Sequence, residues 1–127
     1  MGQCYSVYLA AKVKAPSAFV RLSQEFFDEQ GWSASRDMCS TVDKTFKWLL
    51  GDNLTVDYEN GWPVFRSDFD ARYSWEGVME GWFRKVSPAL EAGSELEVYP
   101  EGSSWICTIR EDGTIHKDIC EEEEEDD

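Results

Sequence analysis

LTVDYENGWPVFRS, from Leu54 to Ser67, is the stretch that decides the fold. Leu54, Val56 and Tyr58 alternate with polar residues, the period of a strand whose two faces meet different surroundings. Asn60-Gly61 supplies the two positive-φ positions of a type I′ turn, so Trp62 to Ser67 must return as an antiparallel partner. Pro63 has no N–H to give a ladder, which predicts that the returning strand starts there or lies on an edge.

Working outward from this hairpin, strands and helices mix along the chain. Upstream, Tyr5, Val7, Leu9, Ala11 and Val13 alternate in a strand from Cys4 to Lys14. Ala15-Pro16-Ser17 opens a helix, because proline's missing N–H costs nothing in a first turn. Phe19, Val20, Leu22, Phe26 and Phe27 recur at helical spacing through Gln30, and Gly31 closes the segment. A second helix is expected from Ser35 to Leu50, with Met38, Val42, Phe46 and Leu49 as its buried stripe.

Downstream, Asp68-Phe69-Asp70 reads as a strand end and loop whose acids meet water. Ser74 is placed to cap a third helix, in which Trp75, Val78, Met79, Trp82, Phe83 and Val86 form a wide apolar face that Pro88 ends. Gly77 and Gly81 each weaken that helix by roughly 1 kcal/mol relative to alanine, and such glycines let another backbone approach closely. Three strands follow: Glu95 to Tyr99, Trp105 to Arg110 and Thr114 to Ile119. Pro100-Glu101-Gly102-Ser103 and Asp112-Gly113 are the turns between them. The order β-α-α-β-β-α-β-β-β predicts a single α+β domain over residues 1–119, mostly an antiparallel sheet with helices packed on one face. Residues 120–127 are expected to be a disordered acidic tail.

Charge is segregated along the chain. From Met1 to Leu90 there are 10 basic and 12 acidic side chains, whereas from Glu91 to Asp127 there are 14 acids against Arg110 and Lys117. On the strand from Glu95 to Tyr99, Leu96 and Val98 face one side, so Glu95 and Glu97 share the other, roughly 6.6 Å apart. Glu91, Glu101, Glu111, Asp112 and Asp118 lie in flanking turn and strand positions. A chain this acidic is repelled by anionic lipid and by phosphates, which argues against direct binding of nucleic acid or membrane. The same charge suits a basic protein partner.

Catalytic and cofactor chemistry has little to stand on. His116 is the single histidine, and there is no nucleophile elbow, phosphate-binding glycine loop or Cys/His cluster at metal spacing. Asp68 and Asp70 lack the further carboxylates of a cation loop. No enzyme activity, cofactor or metal is therefore expected. Cys4, Cys39, Cys107 and Cys120 are scattered without a framework spacing, which with the lack of an apolar leader predicts reduced thiols and a cytoplasmic setting. Met1-Gly2-Gln3-Cys4-Tyr5-Ser6 fits an acylation pattern, but a strand starting at Cys4 leaves little of the free end that acylation needs.

Trp32, Trp62 and Trp105 stand at element boundaries, where rings are often half exposed, and Trp105 is the expected apolar anchor of the acidic region. In size and composition the chain is similar to phage-borne inhibitors of nucleic-acid enzymes, including anti-CRISPR proteins and DNA mimics. That likeness implies an inhibitor whose acidic surface occupies a basic nucleic-acid site on a nuclease or other nucleic-acid-binding protein. The alternative expectation is an immunity-type interaction module that binds through exposed aromatics, its acidic end serving solubility.

Overall fold

A computed structural model of the chain describes residues 2–31, 40–51, 53–72, 75–99 and 103–121. Six strands form one fully antiparallel sheet: β1 (Gly2–Ala10), β2 (Thr55–Glu59), β3 (Trp62–Arg72), β4 (Glu95–Tyr99), β5 (Ser103–Ile109) and β6 (Ile115–Glu121), in the order β2-β3-β1-β4-β5-β6. Among the described residues there are three helices, α1 (Pro16–Glu29), α2 (Val42–Leu50) and α3 (Trp75–Val86), and a 3₁₀ turn at Ser87–Ala89. The α+β class and the element order are those read from the sequence.

The strand period sorts side chains between two unlike faces. Tyr5, Val7 and Leu9 of β1 stand in register with Phe69, Ser67 and Phe65 of β3, and Val7 and Leu9 with Val98 and Leu96 of β4. These rows join Trp105, Cys107 and Ile109 of β5 under the helices, in a core with Phe19, Phe27, Phe46, Met79, Trp82 and Phe83. β1 is interior because both of its edges are paired, which its apolar alternation alone does not specify.

Polar groups fasten the helices to this sheet. Buried Tyr5 donates its hydroxyl to Glu76 Oε1 at 2.7 Å and accepts from the Trp75 backbone N–H at 3.2 Å, which ties the first turn of α3 to β1. Buried Ser67 donates to the Leu50 carbonyl at the end of α2. Burial opposes ionisation of Glu80, but hydrogen bonds from Lys117 Nζ (2.7 Å) and Arg84 Nε (3.0 Å) outweigh it and hold the carboxyl below its ordinary range. That contact ties β6 to α3.

Several boundaries differ from expectation, each for a local reason. The second helix starts at Val42 rather than Ser35, because extended Thr41 caps it by accepting the Lys44 N–H at 3.1 Å; residues 32–39 lie outside the described chain. Pro63 is the second residue of β3, which is an interior strand, so the start position and not the edge accommodates it. β3 then runs on through Arg72, and Asp68-Phe69-Asp70 belongs to the strand, paired with Ser6, Tyr5 and Cys4. β6 continues through Glu121, since backbone pairing with Ser103 and Ser104 is indifferent to the acidic side chain. The Ser74 cap and residues 122–127 lie outside the described chain.

The two glycines of α3 are not equivalent. A Cβ at Gly77 meets nothing within 4 Å, whereas one at Gly81 falls 3.0 Å from Cε1 of the buried Phe26 ring. Gly77→Ala is expected to raise stability by about 0.5–1 kcal/mol through helix propensity. Gly81→Ala is expected to lower it, because a packed ring cannot move aside freely. Melting curves of the two variants check this, with Tm rising for the first and falling for the second.

Candidate functional site

The helices leave the opposite face of the sheet uncovered, and strand parity fixes what it shows. One row across it reads Asp57, Val64, Ala10, Glu95, Thr108, His116, with Val64 itself buried; the next reads Thr55, Arg66, Tyr8, Glu97, Ile106, Asp118. A third carries Asp68, Ser6 and Tyr99, and beyond it Asp70 stands beside Cys4. Acids from four strands therefore share a surface that runs from one sheet edge to the other.

Arg66 is a cation set within this face, and its charge is balanced there. Its guanidinium lies 2.6 Å from Glu59 and 3.4 Å from Asp57, and 5.1 Å from the centre of the Tyr8 ring. The Glu59 hydrogen bond leads the upward shift of the guanidinium's pKa. Burial, then the hydrogen bond to Glu59 at 3.1 Å, raises that of the Tyr8 phenol. Among the described residues Glu95 has no such balance. Burial and the neighbouring Glu97 push its carboxyl above the ordinary glutamate range.

A carboxyl whose pKa is higher in the folded than in the unfolded chain costs stability when ionised, and the cost fades as pH falls through the folded value. Glu95→Gln is therefore expected to stabilise the protein at neutral pH, with the gain vanishing once the ordinary glutamate range has been passed. Urea unfolding at neutral pH and at about pH 3.5 tests both halves. A gain that persists in acid would trace to packing rather than charge.

The residues expected to form one binding region divide into groups. Glu95, Glu97 and Asp118 do share the open face, where Asp118 lies 2.9 Å from His116 Nε2. Glu111 and Asp112 sit instead at the sheet's end, lining a depression with Ala92, Gly93 and Arg110, and exposed Glu91 precedes it. Asp112 is part of the hairpin itself: its Oδ1 accepts from the Thr114 hydroxyl at 2.7 Å and N–H at 3.0 Å, which lowers its pKa. Glu101 lies outside the described residues.

Trp105 requires a correction. It is only 6% exposed, faces the helices beside Cys107 and carries Lys117 5.1 Å above its ring, so it is not a surface anchor. Trp62 is half-buried under Lys12, 4.7 Å from its ring centre, and Trp32 lies outside the described residues. Trp62 stands beside Glu59 at one end of the open face, and nearer its centre the aromatics are Tyr8 and Tyr99, the latter 44% exposed.

Four of the seven acids of the face were not among the residues expected to bind. Asp57, Glu59, Asp68 and Asp70 were legible in principle: the first two alternate with Val56 and Tyr58, and the second pair flanks Phe69. Cys107 is buried, and burial raises its thiol pKa to about 11, so it is a poor nucleophile at neutral pH. Among the described residues there is no group of three or more His, Cys, Asp or Glu able to hold a metal ion, and no helix long and apolar enough to cross a membrane. Comparison with protein-family models, with curated proteins and with solved structures gives no match.

Proposed function

We propose that this is a non-enzymatic acidic binding protein that inhibits a nucleic-acid-handling protein, such as a nuclease, by laying the open sheet face over its basic nucleic-acid site. One observation carries the reading: Asp57 and Glu59, Asp68 and Asp70, Glu95 and Glu97, and Asp118 project from four strands onto a single uncovered face. Lysines and arginines arranged to neutralise a row of phosphates meet a comparable row of carboxylates there. The face is held by backbone ladders and by helices fastened behind it, so it is organised before binding and little entropy is lost on contact. Such an inhibitor, with DNA-mimic or anti-CRISPR character, acts in the cytoplasm, where its target works, and needs no cofactor.

The test is competition. The partner is recovered from host lysate on the immobilised protein and identified, then loaded with labelled nucleic acid. Added protein is expected to displace the label, with potency falling steeply as salt rises. Nucleic acid that stays bound and active at saturating protein would reject groove occupation. Displacement that ignores salt would move the assignment to an aromatic contact, for which Tyr58 on β2 and Tyr99 on β4, both exposed, are available.

A further inference from the structure

We infer that the open face contains a receptor for one arginine side chain of its partner: the cleft between Tyr8 and Tyr99, with Glu97 and Asp68 as its acceptors. The inference rests on the acidic-face reading above and makes it specific. The cleft has a volume of about 220 Å³ and opens where β3, β1 and β4 lie side by side, lined also by Ser6 and Arg66.

Its walls combine the two features that suit a guanidinium. Tyr8 and Tyr99 are aromatic surfaces, over which a planar cation is favoured. Glu97 and Asp68 are carboxylates with acceptor capacity beyond the bonds they make. Glu97 takes the Tyr99 hydroxyl at 2.9 Å, and Asp68 takes the Ser6 hydroxyl. An ionised carboxylate offers about four lone-pair positions, so each has room for a further donor. Those two hydrogen bonds also hold the carboxylates in place, so a bidentate fork meets fixed partners.

The same face already solves this recognition once. Arg66 lies against the Tyr8 ring and is held by Glu59 and Asp57 on the β2 side. That arrangement balances Arg66 from the β2 side and leaves Glu97, across β1 on β4, and Asp68, two residues along β3, to a second cation. A lysine ammonium fits less well, because it is a strongly hydrated point charge without a planar face to stack or a fork to pair.

Two peptides of equal charge separate this cleft from the general acidity of the face. Nona-arginine and nona-lysine are titrated against the full-length protein at low salt, with amide chemical shifts recorded alongside affinity. Nona-arginine is expected to bind roughly tenfold tighter than nona-lysine, with the largest shift changes at Ser6, Tyr8, Glu97 and Tyr99. Glu97→Gln and Tyr8→Leu should each remove that preference while leaving nona-lysine affinity within about twofold. Glu111→Gln, away from the cleft, should preserve it. Equal affinity for the two peptides, both lost in salt, would overturn the arginine receptor and leave the charge-driven reading of the face intact. Failure of both peptides to bind would overturn both.

Discussion

Trp82→Ala is expected to remove roughly 3–5 kcal/mol, a large fraction of the stability of a single domain. Trp82 is fully buried where the three helices converge. Its ring meets Phe19 of α1 edge-on with centroids 5.8 Å apart, and Phe46 of α2 at 6.3 Å. Its Nε1–H donates to the buried Ser23 hydroxyl of α1 at 3.0 Å. Truncation therefore opens a cavity and unpairs a hydroxyl at once. The void cannot close easily, because α1 is held against α2 and α3 and Phe46 is stacked on Phe65 of β3 at 4.2 Å. Urea unfolding should show a lower midpoint with little change in slope. Ser23→Ala isolates the polar part: it leaves the indole N–H buried without its acceptor and should cost about 1–3 kcal/mol. A loss under about 1 kcal/mol for Trp82→Ala would mean that the helices do not converge on this ring.

The hairpin that decides the fold is local physics, and it was readable. Asn60 and Gly61 both take positive φ, 55° and 82°, as the turn chemistry of that dipeptide requires. Asp112-Gly113 was readable for the same reason, with Asp112 bonded to Thr114 and Gly113 at φ 88°. Strand order was not. β1 lies between β3 and β4, partners far away in sequence on either side, and the alternation of Tyr5, Val7 and Leu9 is equally compatible with an edge position.

Trp105 shows how position can mislead where parity would not. It stands at the start of an apolar run, which suggested exposure, yet it shares its face with Cys107 and Ile109, and all three are buried. Asp68 and Asp70 were hidden differently. A strand ending at Ser67 leaves them in a loop, and only the pairing with β1 as far as Gly2 extends β3 and puts them on the open face. The acidity of the last 37 residues was legible as a total. Its division between a sheet face and a hairpin end depends on tertiary placement, because Glu111 and Asp118 are only seven residues apart and belong to different surfaces.

That division yields the largest functional effect. Reversing Glu95 and Glu97 together to lysine is expected to slow association with the basic partner by roughly tenfold at low ionic strength, and to change dissociation less. Long-range attraction acts before docking, so losing it from the centre of the face lowers the encounter rate. Single rim ion pairs contribute only about 0.2–1 kcal/mol each once formed, so the bound complex loses less. Glu91→Lys with Glu111→Lys makes the same formal change at the sheet's end and is the control; Asp112 is avoided there because its carboxylate holds the turn. Stopped-flow association should separate the two double variants at low salt and bring them together near 0.5 M, where the Debye length is only about 4 Å. Circular dichroism and melting establish that both remain folded. Equal slowing by the two pairs would assign the steering to net charge rather than to the face, and no slowing by either would remove electrostatics from the mechanism.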